Sequence, residues 1–344
     1  MKPQPLLMLL CRLTLIVLPV AAWAPGEFSP PSRTFLFTYQ VTLKNLPAGA
    51  HRVRLWIPRA VTDAQQTVTL KKVNGPVHLR EMREPSFGNH TLYGEILHPQ
   101  AGPFEFTVEY LVTRKEYTKG DYQSLLKASQ GPEAAPRNLA AFLRPDRLVP
   151  IDGRIKELAD ENTRGRQGTV EKARALYDYV FQTVRYDKSG TGWGRGDALW
   201  VCDSKHGNCT DFHSLFISLA RAEGIPARFE IGFPVPAVAE GVIPGYHCWA
   251  EFFVNGVGWV PVDISEAWKD PTKHDYFFGA LDANRVQFTL GRDSTLQPKQ
   301  AGEPLNYFIY PYVEVDGKPF ENIEKKFSYQ EATALHTAAQ SEAQ

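Results

Sequence analysis

The stretch that decides the fold is GNCTDFHSLFISLARAEGIPARFEIGF, residues 207–233. It places Cys209 directly after a Gly-Asn pair and at the start of a run whose apolar residues recur every three to four positions. This period predicts an amphipathic helix that ends at Gly224, because Pro226 follows. A helix N-terminus favours a thiolate, since its free N–H groups and dipole are positive there. Cys209 is therefore a candidate nucleophile.

A nucleophilic cysteine needs a base, and the base needs a group that orients it. The segment GYHCWAEFFVNGVGWVPVD, residues 245–263, offers His247 and Asp263. Its even-numbered positions are apolar, so one core face forms when even positions pair with even ones. We therefore predict an odd-length loop or a bulge rather than a two-residue Asn-Gly turn. That register also places His247 and Asp263 on one face, within cross-strand reach.

The N-terminal part of the chain has a different period. From Arg33 to Arg114 apolar residues recur at every second position, most clearly in residues 35–43, 53–57 and 104–112, with Gly, Pro and Asn between the runs. Short alternating strands separated by turn residues predict an antiparallel β-sandwich. No catalytic set of residues stands out in this part.

A second helix is predicted before the cysteine helix. Apolar residues from Val170 to Val184 fall on one helical face, and Thr169 is the expected N-cap. Between the sandwich and this helix, Gly and Pro residues indicate a connector. These patterns divide the chain into five parts: a signal peptide (1–24), a β-sandwich domain (28–118), a connector (119–150), a second domain (151–328) and a flexible tail (329–344).

The first residues indicate export. Lys2 precedes an apolar run from Leu6 to Val20 and small residues near Ala22 and Ala24, which is typical of a secretory signal peptide. The alternative is an uncleaved membrane anchor. Both predict a secreted or periplasmic protein. Lys and Arg total 38, as do Asp and Glu. Because no block of like charge stands out, no nucleic-acid partner is predicted.

Removal of the predicted signal peptide would leave three cysteines: Cys202, Cys209 and Cys248. An odd number leaves at least one thiol unpaired within the monomer. One alternative is a Cys202–Cys248 disulfide with Cys209 free. Another is a zinc site that joins Cys202 and Cys209 to His206 and His213, but the Cys-x-x-Cys spacing of structural zinc sites is missing.

Four motifs together resemble the transglutaminase-like superfamily. They are GNC at a helix start, LARAEGIPAR at a helix end, HCWAE in a strand and WVPVD in the next strand, and they cover about residues 150–290. The resemblance implies an α+β fold in which the N-terminal β-sandwich precedes a papain-like core, its cysteine-bearing helix packed on an antiparallel sheet. It also implies a Cys209–His247–Asp263 triad. Animal transglutaminases have Trp where this chain has Thr210, so the resemblance is to bacterial secreted members.

The chemistry that the resemblance implies is acyl transfer from a carboxamide of a protein or peptide substrate. Cys209 would form a thioester, which an amine or water then accepts, and no cofactor or metal is expected. An aromatic side chain would complete the oxyanion hole or line the cleft, and the candidates are Trp193, Trp200 and Trp249. Two alternatives remain open: a cysteine peptidase on the same core, and an inactive binding or scaffold protein.

Overall fold

The computed structural model describes residues 31–129 and 139–332. The predicted signal peptide and most of the predicted flexible tail lie outside the described residues. Among the residues that are described, no helix combines the length and the apolarity needed to cross a membrane.

The N-terminal strands build a β-sandwich, as predicted. Its two antiparallel sheets have five strands each. In chain order the strands that precede the first helix are β1 (Ser32–Leu43), β2 (Arg52–Pro58), β3 (Gln66–Asn74), β4 (Arg80–Arg83), β5 (His90–Leu97), β6 (Phe104–Lys115) and β7 (Tyr117–Thr118). Alternate residues of β1, from Phe35 to Leu43, are buried, because one face of the strand covers the core.

Six helices follow or interrupt the remaining strands. They are α1 (Tyr122–Ala128), α2 (Arg154–Thr163), α3 (Gly168–Thr183), α4 (Ala198–Ser204), α5 (Cys209–Ala222) and α6 (Ile264–Lys269), with 3₁₀ turns at Ala140–Leu143 and Pro271–Lys273. The predicted connector thus contains α1 and a 3₁₀ turn. The apolar face of α3 is buried as predicted, but its N-cap is Gln167 and not Thr169.

The later strands form the core sheet and complete the sandwich. They are β8 (Arg185–Tyr186), β9 (His206–Gly207), β10 (Ala227–Pro234), β11 (Glu240–Ile243), β12 (His247–Val254), β13 (Gly258–Val262), β14 (Ala280–Leu281), β15 (Arg285–Leu290), β16 (Tyr312–Val315), β17 (Lys318–Pro319) and β18 (Ile323–Glu331). The core sheet has the order β13-β12-β10-β15, and α5 packs on it through β12 and β10.

The register of β12 with β13 has the predicted parity. Val254 pairs with Gly258, Phe252 with Val260 and Ala250 with Val262, so even positions face even ones. The loop between Val254 and Gly258 therefore contains three residues. The whole of β12 is buried, and α5 and α3 pack against it. Asp263 follows β13 directly.

The C-terminal strands belong to the sandwich. β18 pairs with β1, and β16 pairs with β2, so the sheets have the orders β11-β18-β1-β6-β3 and β17-β16-β2-β5-β4. Residues that the sequence pattern assigned to the second domain thus complete the first. Tyr329 and its neighbours up to Glu331 lie in β18, although we expected a flexible tail from residue 329.

Phe327 of β18 joins the sandwich to the core sheet. Its ring centroid lies 4.7 Å from that of Tyr39 on β1 and 4.4 Å from that of Phe233 on β10. The main hydrophobic core accordingly runs through both the sandwich and the core sheet. A small separate cluster forms around Trp56 and Phe308. Each half of the molecule therefore contributes to the stability of the other.

We predict that Phe327→Ala lowers the free energy of unfolding by about 3–5 kcal/mol, because a buried ring is replaced by a cavity. Chemical denaturation monitored by circular dichroism measures this loss, and the two halves should unfold in one transition. The matched control is Lys326→Ala, an exposed residue of the same strand, with an expected change within about 0.5 kcal/mol. Two separate transitions in the wild type would contradict the shared core.

Candidate active site

The start of α5 holds Cys209 in a fixed position. The Asn208 side chain caps the helix by accepting from the Thr210 N–H at 2.9 Å. The Asp211 carboxylate accepts from the Asn208 N–H at 2.8 Å and, on the preceding glycine loop, from the Gly194 N–H at 2.6 Å. Cys209 is 2% exposed and lines a cleft of about 410 Å³. The nucleophile candidate is thus pre-positioned at a helix N-terminus.

His247 and Asp263 lie together, as the hairpin register requires. His247 Nε2 is 2.7 Å from Asp263 Oδ2. Asp263 is fully buried and also caps α6, where its Oδ1 accepts from the Glu266 N–H at 3.1 Å. Burial raises the pKa of this carboxyl, but the charges of His247 and Arg285 outweigh burial and hold the pKa well below its ordinary value. Asp263 is therefore ionised.

The electrostatics favour an ion pair between Cys209 and His247. Burial raises the pKa of Cys209, but hydrogen bonds from Cys248 and His247 and the charge of His247 bring the pKa well below its ordinary value. Burial lowers the pKa of His247, but the charge of Asp263 and its hydrogen bond, together with the Cys209 thiolate, raise the pKa to about 10. Since Asp263 occupies Nε2, the proton that reaches substrate is the one on Nδ1.

Arg285 supports the carboxylate. Its Nη1 donates to Asp263 Oδ2 at 2.8 Å, and its guanidinium lies 5.1 Å from the centroid of the Trp249 ring. The neighbouring Asn284 accepts from Arg33 of β1 at 2.7 Å. Sequence spacing alone could not identify Arg285 as the partner of Asp263, because the two residues are 22 positions apart and Arg285 lies on a separate strand. A buried arginine paired with the acid of the triad neutralises a charge that would otherwise be costly.

His213 links the cysteine helix to the segment after the acid. The Ile264 N–H donates to its Nε2 at 3.1 Å, and the same nitrogen is 3.6 Å from Asp263 Oδ1. Burial lowers the pKa of His213 to about 4, so this histidine is neutral at neutral pH. The sequence offered His213 as a member of the zinc alternative. In the structure it lies on α5 and positions the first residue of α6.

Two further side chains stand beside Cys209. The Tyr246 hydroxyl contacts Asn208 Nδ2 at 3.0 Å and Thr210 Oγ1 at 2.9 Å, and Tyr246 lines the cleft. Cys248 Sγ lies 3.8 Å from Thr210 Oγ1 and 3.7 Å from His213 Nδ1. Sequence reasoning missed Tyr246, although it directly precedes the base. Cys248 was named as a disulfide candidate, and its place beside the nucleophile was not expected.

Cys202, Cys209 and Cys248 are free, buried thiols, so the structure does not contain the Cys202–Cys248 disulfide that the sequence left open. The zinc alternative is not supported either. Within residues 31–129 and 139–332, no group of three or more His, Cys, Asp or Glu side chains is placed to hold a metal ion.

The three candidate tryptophans occupy different positions. Trp193 lines the Cys209 cleft. Trp200 packs on the ring of His206, with centroids 5.2 Å apart, outside the residues that line the cleft. Trp249 is fully buried, and its Nε1–H donates to Glu230 at 2.8 Å. Because that N–H is already paired with Glu230 of the neighbouring strand β10, Trp249 is not an oxyanion donor, contrary to our expectation. Trp193 remains a candidate.

Comparison with known families agrees with this geometry. Residues 156–264 match the family described as "Transglutaminase-like superfamily". This range contains Cys209, His247 and Asp263 and ends one residue after the acid. The central part of the chain, which carries all three candidate catalytic residues, is therefore similar to the transglutaminase-like superfamily.

Three individual proteins are similar to this chain. An uncharacterised protein of Haemophilus influenzae is 27% identical over 337 residues, covering 86% of this chain and 89% of its own length. The uncharacterised protein YebA of Bacillus subtilis is 26% identical over 135 residues, covering 35% of this chain and 18% of YebA. The crystal structure of a candidate cysteine protease from Cytophaga hutchinsonii has the same fold, with a TM-score of 0.59 at 17% identity, covering 86% of this chain and 90% of that one.

We predict that iodoacetamide alkylates Cys209 rapidly at pH values well below those at which an ordinary thiol reacts. The thiolate persists down to the lowered pKa of Cys209, and its imidazolium partner persists up to about pH 10, the raised pKa of His247. His247→Ala removes the partner cation, so the acid limb of the rate profile should move to higher pH. Rates at several pH values, with adduct mapping by mass spectrometry, check this; identical profiles would contradict the ion pair.

A second prediction concerns Cys248. Its hydrogen bond helps to lower the pKa of Cys209, so Cys248→Ala should move the acid limb of the same alkylation profile toward higher pH. Cys202→Ala is the matched control, because it also removes a buried thiol but one that is not a cause of the Cys209 shift. Equal profiles for both variants would show that Cys248 does not tune the nucleophile.

Proposed function

We propose that the protein is a thiol-dependent acyltransferase or amidohydrolase that attacks peptide or side-chain carboxamides through Cys209. The observation that carries this proposal is the buried arrangement of Cys209, His247 and Asp263, with His247 Nε2 2.7 Å from Asp263 Oδ2. The lowered pKa of Cys209 and the raised pKa of His247 favour a thiolate and an imidazolium before substrate binds. An ion pair of this kind supplies both the nucleophile and the acid that a leaving amine needs.

Acylation follows from the geometry. The Cys209 thiolate forms a bond to the carboxamide carbon, and the carbonyl π electrons move onto oxygen. When the tetrahedral intermediate collapses, the carbon–nitrogen bond breaks and His247 gives its Nδ1 proton to the departing nitrogen. The products are a thioester on Cys209 and free ammonia or amine. Asp263 keeps the ring oriented through Nε2 at 2.7 Å and stays ionised.

The oxyanion lies at the N-terminus of α5. The Cys209 N–H is one of the first N–H groups of the helix, which have no acceptor within it, so it is a natural donor to the oxyanion. The second donor is a side chain of the cleft. Trp193 and Tyr246 are the two candidates, and Tyr246 is the better anchored, because its hydroxyl contacts both Asn208 and Thr210.

Deacylation decides the reaction class. His247, now neutral, removes a proton from water or from an amine as that nucleophile attacks the thioester, and Cys209 leaves as the thiolate. Water gives hydrolysis and an amine gives transfer. The Cytophaga neighbour is described as a candidate cysteine protease, which supports the peptidase alternative for this chain through its fold. An inactive scaffold is the less favoured alternative, because the Cys209, His247 and Asp263 side chains are all present and in contact.

Export is part of the proposal. The apolar run near the N-terminus, with small residues after it, supports a secreted or periplasmic location. Protein or peptide amides outside the cytoplasm would then be the substrates. No cofactor enters any step of the mechanism.

The test is a library of amide-containing peptides incubated with and without a labelled primary amine. We expect cleavage, ammonia release or amine incorporation with the wild type, and a loss to background with Cys209→Ala, because no other residue supplies the nucleophile. Mass spectrometry distinguishes the three outcomes. Cys202→Ala, the matched control, should retain activity. Turnover by Cys209→Ala equal to that of the wild type would contradict the mechanism, and labelling of Cys209 by acyl probes no faster than that of denatured protein would favour the scaffold.

A further inference from the structure

The cleft in front of Cys209 has an uneven lining. Two exposed cations, Lys188 and Arg195, line it together with five aromatic residues: Tyr186, Trp193, Tyr246, Tyr307 and Tyr310. None of the described residues that line it is Asp or Glu. Its charged side chains are therefore all positive.

The cations stand close to the aromatic walls. Lys188 Nζ lies 5.6 Å from the centroid of the Tyr186 ring and 5.8 Å from that of Trp193. Outside the lining, Lys325 Nζ lies 4.7 Å from the centroid of Tyr310, another aromatic residue of the cleft. Arg195 is held through its backbone carbonyl, which accepts from Arg292 at 2.9 Å. Aromatic walls lower the local dielectric constant relative to water, which strengthens the electrostatic field of these cations in the cleft.

The two cations that line the cleft, and the nearby Lys325, lack carboxylate partners. Within residues 31–129 and 139–332, none of Lys188, Arg195 and Lys325 takes part in an ion pair. All three side chains are exposed. Their charge is therefore available to a bound molecule.

The other side of the catalytic pair is different. A second cavity of about 270 Å³ is lined by His247 and contains carboxylates. Each of these carboxylates has a cation beside it: Glu266 has Lys269 at 2.6 Å, Asp270 has Lys273 at 3.7 Å, and Asp282 has Arg285 at 3.4 Å. This side is locally balanced, so the net positive charge belongs to the Cys209 side alone.

We propose that the Cys209 cleft selects acyl donors that carry a carboxylate close to the reacting carbonyl, that is, acidic peptide segments. The thioester is bonded to Cys209, so the acyl group must occupy this cleft, while the leaving amine takes its proton from His247 on the other side. Lys188 and Arg195 are the specificity-determining residues. The inference rests on the proposed function for its substrate, but the field of the cations is measurable without any substrate.

The first experiment compares two alkylating probes of similar size, iodoacetate and iodoacetamide. Each transfers its methylene carbon to the Cys209 thiolate with loss of iodide, but only iodoacetate carries a negative charge. The rate constant for iodoacetate divided by that for iodoacetamide reports the electrostatic field of the cations at Cys209. In the double variant Lys188→Gln with Arg195→Gln, we expect the ratio to fall roughly threefold to tenfold at low salt, since each exposed charge contributes a fraction of a kcal/mol up to about one.

The matched control is Lys71→Gln with Arg164→Gln, which removes the same charge from exposed positions outside the lining of the cleft. Its ratio should remain that of the wild type. High salt should also reduce the wild-type ratio, because exposed charges are screened. A ratio in the Lys188 and Arg195 variant that equals the wild-type value would overturn the proposal.

The second experiment uses peptide pairs that differ by Glu against Gln next to the reacting amide. We expect kcat/KM to favour the acidic peptide by about tenfold at low salt in the wild type, and the preference to shrink in the Lys188 and Arg195 variant but not in the control. Equal kcat/KM values would overturn the proposal. If no peptide reacts while the alkylation ratio falls as expected, the proposed function fails and the anion-attracting cleft stands.

Discussion

The fully buried carboxylate of Asp263 is the constraint on which the rest of the site depends. A buried charge is tolerated only when it is paired and hydrogen-bonded. Here His247 and Arg285 supply opposite charge at 2.7 and 2.8 Å, and the Glu266 N–H donates at 3.1 Å. His213 lies 3.6 Å away on α5. One carboxylate thus ties together the cysteine helix, the strand that carries the base, the strand that carries Arg285, and α6.

This carboxylate can be held so firmly because the sandwich and the core sheet are built as one body. β15 carries Arg285 and pairs with β10, whose Phe233 packs on Phe327 of the C-terminal strand. Asn284, beside Arg285, accepts from Arg33 on β1. Residues from both ends of the described chain therefore support Arg285, which pairs with the Asp263 carboxylate. The sandwich is a structural part of the site's support and not an appended module.

The sequence predicted the features that local patterns encode. A helix that begins at Cys209 follows from the apolar period and the capping residues, and the even-to-even register of β12 with β13 follows from the apolar face. Features that depend on non-local packing were missed. Nothing in residues 323–331 says which strand they pair with, and Arg285 resembles any strand arginine until its carboxylate partner is known. Trp249 looked like a cleft residue because alternation gives the face of a side chain, but not what covers that face.

The glycine loop before Cys209, residues 190–196, has a fixed backbone but side chains that can be replaced. Asp211 holds this loop through the N–H groups of Gly194 and Gly196, which have positive φ. Trp193 and Arg195 are therefore positioned through backbone contacts that any side chain at their positions would keep. A substitution at Arg195 would then change the charge of the cleft while the thiol, its base and its acid stay in place. The loop is accordingly the natural place to graft a new specificity, and the part of the chain where relatives with the same chemistry can diverge at least cost to folding.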